Sequence, residues 1–539
     1  MGPSAECLHP FEGLDLGWLL AMQAGERGDH PFIVFEPFDR PAVVFSYRQF
    51  HAQALRLAHG LLARGIGPGD RVIVHLDNCP EFLLSWCACG LIGAIAVTTN
   101  TRSSAEELGY FANHSEAVAA ITQPRLAALI RAACPALRWI AVTDHDSGEP
   151  CAAATKPEQA EQFSRLLVDT VAALPAVGPL TSLAIQYTSG TTSRPKAVLW
   201  THANALWAAR TSASHEGLRP YDIHHCVLPL FHTNALSYSW LACLWAGATL
   251  ILQPRFSSSR FWDIASRHRC TWSSITAFCY RALLNVEMPK THFFRNWGIA
   301  FSDPVVIEKF GIRPLSWWGM TETLTHGLIG FPHMPVPLGA IGRPAPEYNI
   351  RILGPDGRQV QRGETGALHI GGVRGISLFK EYFRNTEATA AAFDAEGFMN
   401  TGDQVTLLAD GSIRFADRVK DMLKIGGENV ASLEIERVIN GIDGIEEAAV
   451  IACPHPMLDE IPVAFVRVGG SLAGADEAVV ASRVIASCRS LLADFKVPRE
   501  VHVLEDFPRV SVGKIAKPRL RELRLQKVGD RAISDPGRG

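Results

Sequence analysis

An α/β protein is predicted, with a large N-terminal domain of helix-covered sheets, a β-hairpin-rich part within it, and a small α+β domain at the C-terminus. Three observations carry this reading. Between residues 45 and 122 helical and strand patterns alternate, which implies parallel sheets with helices on their faces. Residues 348–416 turn to short strands separated by Gly354-Pro355-Asp356-Gly357 and Asp410-Gly411, the signature of hairpins. A charge-dense junction, Asp417-Arg418-Val419-Lys420-Asp421, is followed by a separate helix and strand pattern. The predicted domains are therefore 1–417 and 418–539. At 539 residues the chain is in any case too long for one ordinary core.

In chain order, apolar residues at helical spacing (Phe50, Ala54, Leu57, Leu61) lead to Gly65-Ile66-Gly67-Pro68-Gly69-Asp70, which stops that helix. Its glycines fail the dinucleotide spacing at Asp70. A strand at 71–76, a helix at 81–92, a strand at 94–98, a helix at 105–113 and a strand at 117–122 follow. The uncharged runs 82–101 and 233–254 each break at Gly-Ala and read as a buried helix turning into a buried strand, not as membrane spans. Residues 144–180 read as a linker.

Hydrophobic residues at 47% and charged ones at 19% describe a well-buried globular chain. A net charge of -3 with no long basic run gives no footprint for nucleic acid. Twelve scattered cysteines without a C-x-x-C pair argue against a zinc site or disulfide framework and suit a reducing cytosol. No basic n-region and apolar h-region open the chain, so a cytoplasmic enzyme is expected.

Residues 187–198, Tyr187-Thr188-Ser189-Gly190-Thr191-Thr192-Ser193-Arg194-Pro195-Lys196-Ala197-Val198, place five hydroxyls and a lysine around one glycine. Hydroxyls, backbone N–H groups and a point charge suit phosphate oxygens, although such clusters also form plain surface loops. Leu228-Pro229-Leu230-Phe231-His232-Thr233 leaves a strand at 226–230. His224 and His225 read as surface residues. Trp317-Trp318-Gly319-Met320-Thr321-Glu322-Thr323 offers a stacking face, a hydroxyl and a carboxylate at one turn, fitting an adenine ring, a phosphate and Mg²⁺. Thr401-Gly402-Asp403 places a carboxylate at the end of an extended segment, where it can accept from two ribose hydroxyls. Later come Leu423-Lys424-Ile425-Gly426-Gly427-Glu428-Asn429 and, in a basic loop, Gly513-Lys514.

These motifs, with 366–372, 387–393 and Phe379-Lys380-Glu381-Tyr382-Phe383, resemble in identity and order those of the adenylate-forming acyl-CoA synthetase superfamily. The crotonobetaine/carnitine-CoA ligase-like branch is the nearest likeness. The resemblance implies two steps: a carboxylic acid and ATP give an acyl-adenylate and pyrophosphate, then the thiol of coenzyme A displaces AMP. It implies that Thr188, Ser189, Gly190, Thr191, Thr192 and Lys196 hold the β- and γ-phosphates. Trp318 would stack on adenine, Thr321 touch the α-phosphate and Glu322 hold Mg²⁺. Asp403 and Arg418 would grip the ribose, and Lys514 would bridge the reacting carboxylate and α-phosphate. The resemblance also implies a mobile C-terminal domain with Lys420 at its hinge, Gly426 and Gly427 lining the pantetheine path, and 495–498 near CoA. His232 takes the place of an aromatic gate beside the acid, whose pocket would include Trp317, Gly319, Trp207 and Phe278. Glycine at 319 implies room for an acid larger than acetate: carnitine-like, medium-chain or aryl. The partners implied are that acid, ATP and CoA, with a homodimer left open.

Three positions depart from the superfamily pattern. Ala197 replaces a glycine, Gly298-Ile299-Ala300-Phe301-Ser302-Asp303 stands for Gly-Ala-Pro and leaves the adenine-edge contacts unassigned, and Gly371 stands for arginine. Two other readings remain: an adenylating enzyme that loads a carrier protein, which usually has Asp where this chain has His232, and a non-catalytic nucleotide-binding homologue.

Overall fold

The computed structural model describes residues 9–147, 160–170, 172–188, 195–331, 333–334, 337–417, 422–508, 515–517 and 519–525. It is α/β, and the chain divides into two units: 1–101, 108–188 and 196–419 form the first, and 102–107, 189–195 and 420–539 the second.

The larger unit holds two sheets. In the eight-stranded one, parallel strands Ser182–Thr188, Ile95–Thr98, Arg71–His75, Ala119–Thr122 and Trp139–Val142 lie side by side. Ile95–Thr98 and Ala119–Thr122 are buried along their whole length, as strands covered on both faces must be. Lys196–Thr201 pairs antiparallel with Ser182–Thr188, and Glu381–Tyr382 adds to its outer edge. The thirteen-stranded sheet runs parallel from Pro31–Phe35 through Thr249–Leu252, Ile223–Cys226, Trp272–Ser274 and Asn296–Ile299 to Arg313–Gly319. It then turns antiparallel at His326–Ile329 and continues into the hairpins of 340–417. This change of direction falls at the Trp317–Thr323 motif. No helix among the described residues is long and apolar enough to cross a membrane.

Several sequence expectations are corrected. The strand expected at 226–230 is Ile223–Cys226, so His224 and His225 are strand residues, fully buried rather than on the surface. Burial without a charge partner of sufficient strength pushes both imidazoles down to about 3. The second apolar segment is not a plain α-helix: Asn234–Leu241 is a π-helix that passes into the helix Ala242–Ala246. Asp403 is not at a strand end but inside the ten-residue strand Phe398–Leu407. Part of the expected linker is ordered, with a 3₁₀ turn Phe163–Leu166 that buries Phe163 and Leu166.

In the smaller unit, a sheet of five strands packs on the helices Ser432–Asn440 and Glu477–Leu491. Gly426 and Gly427 form the two-residue turn of the hairpin between Met422–Ile425 and Glu428–Ala431, with φ of 58° and 91°. Two successive left-handed residues are what a hairpin turn of this length requires, so both glycines already have a conformational reason. Lys496 is buried in this unit against Glu107 and, at 2.8 Å, Glu434. Replacing it with methionine strands both carboxylates, and we expect a loss of about 3–5 kcal/mol in the unfolding free energy, read by urea denaturation.

Candidate active site

The hairpin of Ser182–Thr188 and Lys196–Thr201 brings Thr188 directly opposite Lys196. Ser189, Gly190, Thr191 and Thr192, which the two strands flank, lie outside the described residues, as do Arg418, Lys420 and Lys514. Ala197 is buried and does not have positive φ, so the missing glycine costs nothing here. The helix His202–Glu216 starts on a capping box formed by Thr201 and Asn204. Asn204 also donates to the carbonyls of Ile376 and Leu378, at 2.9 and 2.8 Å, and so fixes the segment that carries Tyr382.

Tyr382 joins the two ends of the site. Its hydroxyl donates to Glu322 Oε1 at 2.8 Å, and Lys196 Nζ stands 4.6 Å from the centre of its ring. Glu322 is buried in the short turn Thr321–Thr323. Burial raises its carboxyl above the ordinary range, and the charge of Asp403 acts in the same direction. The Tyr382 hydrogen bond and the charge of Lys196 oppose the shift. These four residues therefore share one electrostatic environment. Leu324, next in the chain, has φ of 66° and is fully buried, a strained conformation for a branched side chain.

Trp200 Nε1 donates to the carbonyl of Thr321 at 3.0 Å, and the Thr233 hydroxyl lies 3.2 Å from Thr321 Oγ1 and 3.0 Å from Gln186 Oε1. The Phe231-His232-Thr233 stretch is thus tied to the Thr321–Glu322 turn through Thr233, while the His232 ring packs on Phe231 at 4.5 Å. Trp318 Nε1 donates to Asp403 Oδ2 at 2.9 Å, so the residues expected at adenine and ribose are coupled directly. The Trp318 ring is itself buried.

A hard cation fits this donor set. Glu322 is a buried carboxylate, and carboxylate oxygens are the kind of ligand Mg²⁺ prefers.

The residues expected around the acid divide. A Cβ on Gly319 would lie 2.5 Å from both the Tyr238 hydroxyl and the Thr325 carbonyl. The room expected beside Gly319 is therefore already taken, and the glycine is there to admit Tyr238. Trp317 stacks between Trp272 (6.3 Å, 3°) and His326 (4.3 Å, 21°), and its ring occupies the place a Cβ on Gly298 would need. Trp207 Nε1 donates to the Tyr348 hydroxyl at 2.9 Å, and Tyr348 in turn donates to the Thr323 carbonyl at 2.7 Å. Phe278 packs on Phe256. In the segment 298–303, Asp303 caps the helix Pro304–Phe310, and the Tyr280 hydroxyl donates to it. Phe398 fills the space next to Gly371.

Sequence reasoning missed Tyr382, Tyr238, His326 and Tyr348. Tyr382 had a signal, since it lies within the quoted segment 379–383. The other three are scattered, and nothing local distinguishes them from core residues.

Replacing Trp318 with phenylalanine should keep a ring but remove its hydrogen bond to Asp403, weakening AMP binding by less than about 10-fold. Alanine should weaken it by about 5- to 150-fold, the range of one lost base stack. Calorimetric titration of AMP distinguishes the two.

Comparison with known proteins shows the family. Residues 20–383 match the family model described as AMP-binding enzyme, and 434–514 match its C-terminal domain. A crotonobetaine/carnitine–CoA ligase of Salmonella paratyphi C is 32% identical over 512 residues, covering 92% of this chain and 97% of that protein. Its counterpart in Citrobacter koseri is 33% identical over 514 residues, covering 92% and 96%. Among solved structures, a Mycobacterium tuberculosis fatty acyl-CoA synthetase is 28% identical with a TM-score of 0.66, covering 94% of this chain and 98% of its own. The o-succinylbenzoate CoA synthetase of Bacillus subtilis, at 24% identity and a TM-score of 0.80, covers 94% and 98% and shares the fold. With the family model spanning well over half of its length and the site residues in the expected order, the chain belongs to the AMP-binding enzyme family.

Proposed function

We propose that this chain is an AMP-forming carboxylic acid–CoA ligase. The observation that carries the reading is the Lys196–Tyr382–Glu322 cluster next to the Trp318–Asp403 pair. A cation, a hydroxyl, a buried carboxylate, an aromatic ring and a second carboxylate suit the phosphate, metal, base and ribose parts of a bound MgATP. Relatives named as crotonobetaine/carnitine–CoA ligases, at 32% and 33% identity, support the acid–thiol chemistry.

In step one Lys196 and the hydroxyls of 188–192 hold the β- and γ-phosphates, Thr321 the α-phosphate, and Asp403 with Arg418 the ribose. Glu322 would hold Mg²⁺, which when bound offsets phosphate charge. Lys514 donates to the carboxylate and the α-phosphate as the two anions meet, stabilising charge that develops only there. The acid's oxygen bonds to the α-phosphorus and pyrophosphate leaves. In step two the CoA sulfur attacks the acyl carbon and AMP leaves, with 426–427 near the pantetheine. We assign the hinge for the change between steps to Lys420, at the boundary of 1–417 and 418–539. A cytoplasmic setting belongs to the same proposal, since ATP and CoA are met there and no disulfide joins the described cysteines.

The test is pyrophosphate release with ATP, Mg²⁺ and CoA across carnitine-like, aryl and short- to medium-chain acids. Acid-dependent release with acyl-CoA formation is expected. If no acid stimulates release, the ligase reading fails; if release occurs but CoA accepts no acyl group, a carrier protein is the acceptor to test.

A further inference from the structure

Thr321 is half-buried at the start of the turn Thr321–Thr323, so its hydroxyl is within reach of a ligand. Its carbonyl already accepts from Trp200 Nε1 at 3.0 Å and from the backbone N–H of Leu324. With the backbone held in this way, the direction of the Thr321 hydroxyl is the freedom that remains. Among the described residues Thr233 is the hydrogen-bond partner of that hydroxyl. Thr233 Oγ1 lies 3.2 Å from Thr321 Oγ1 and 3.0 Å from Gln186 Oε1, placed as the donor in both contacts. Thr233 and Gln186 are themselves buried, so anything they do for a ligand passes through Thr321.

A hydroxyl has one hydrogen, so Thr233 serves one of its two acceptors at a time. When that hydrogen goes to the amide oxygen of Gln186, Thr321 Oγ1 receives nothing from Thr233. When it goes to Thr321, the Thr321 oxygen accepts on the Thr233 side, and its own hydrogen points elsewhere. The oxygens of an ionised phosphate only accept, and the second state presents them with a hydrogen. Hydrogen bonds in a chain polarise one another, so donation from Thr321 to a phosphate makes Thr321 Oγ1 a better acceptor. A bound phosphate thus draws the Thr233 hydrogen away from Gln186. The separation of 3.2 Å is long for two hydroxyls, as fits a bond that tightens once the phosphate is in place.

We propose that Thr233 is a positioning residue for the nucleotide phosphate. It donates to Thr321 Oγ1 and so directs the Thr321 hydrogen to the α-phosphate, while Gln186 takes the Thr233 hydrogen in the ligand-free protein. This rests on the ligase reading through its assignment of Thr321 to the α-phosphate.

The experiment is calorimetric titration of the full chain with AMP and with adenosine, which lacks the phosphate. Thr233→Val keeps the branched shape but has no hydrogen to give. It should weaken AMP by about 3- to 10-fold and leave adenosine within about twofold of wild type. Thr233→Ser, which keeps the hydroxyl and is the gentler change for folding, should bind AMP almost as wild type does. In a Thr321→Val background no hydroxyl is left to direct, so adding Thr233→Val should cost AMP less than about twofold. Thr233→Val also leaves Gln186 without its donor and lowers stability, but AMP and adenosine meet the same protein, so their ratio isolates the phosphate. Equal weakening of AMP and adenosine overturns the proposal, as does unchanged AMP affinity in Thr233→Val. So does a serine variant as weak as the valine one, or a full loss that persists in the Thr321→Val background. The ligase reading fails on a different measurement, the absence of acid-dependent pyrophosphate release from the wild-type enzyme.

Discussion

Replacing Lys514 with alanine is expected to cut acid-dependent pyrophosphate release by about 10²–10³-fold while sparing thioester formation from a supplied acyl-adenylate. The asymmetry follows from charge. In adenylation a carboxylate approaches a phosphate that is already anionic, and a lysine placed between them is worth most as they meet. In thioester formation a thiol attacks the acyl carbon of a mixed anhydride, and no second anion must reach the phosphorus. The two half-reactions can be measured separately, the first by pyrophosphate release and the second by CoA-dependent consumption of synthetic acyl-adenylate. Equal loss in both would remove Lys514 from this role and point to a general defect in its domain.

Glu322→Gln is expected to move stability and activity in opposite directions. Burial is the main cause that raises the Glu322 carboxyl, with Asp403 adding to it. An acid whose folded pKa exceeds its unfolded value favours folding at low pH, and that contribution is lost as pH rises from about 4.5 through the folded pKa. At neutral pH the folded, ligand-free protein thus carries the cost of a carboxyl that burial holds above its ordinary range. Glutamine keeps an acceptor for the Tyr382 hydroxyl and removes the charge. The ligand-free variant should therefore be more stable than wild type by on the order of 1 kcal/mol at pH 7 to 8, with the gap closing towards pH 4. Acid-dependent turnover should fall by more than about 100-fold, since the proposed Mg²⁺ ligand is gone. Denaturation at the two pH values together with turnover at saturating Mg²⁺ decides it. A variant that is less stable at every pH would show that the attraction of the Lys196 charge outweighs burial.

These two outcomes concern residues that were readable in the chain, because motif order along the sequence is a one-dimensional property. The alternation of helix and strand between 45 and 122 needed only local periodicity, and the parallel strands with buried faces follow from it. Lys196, Thr321, Glu322 and Asp403 stood out because cation, hydroxyl and carboxylate sit at fixed places within recognisable segments. The direction of Trp318 towards Asp403 was not readable, since the two are separated by 85 positions and meet only through the sheet. The same holds for Tyr382, which lay in a quoted segment, but whose link between Lys196 and Glu322 exists only once its strand pairs with Lys196–Thr201.

By itself, then, the sequence determined the α/β class, the family, and the order of the segments proposed here for phosphate, adenine and ribose. Tertiary structure decided what surrounds the residues expected at the acid. Glycine at 319 suggested open space, yet that space belongs to Tyr238, brought in by a π-helix that begins 85 positions earlier in the chain. His224 and His225 looked polar and exposed, yet they are strand residues in a covered sheet. His326 and His215 come together only because the turn to antiparallel pairing lays one ring on Trp317 and the other beside Glu347. The physical reason is that a motif's chemistry is carried by neighbours in sequence, whereas the volume and hydrogen-bonding of a pocket are set by side chains from distant strands and helices.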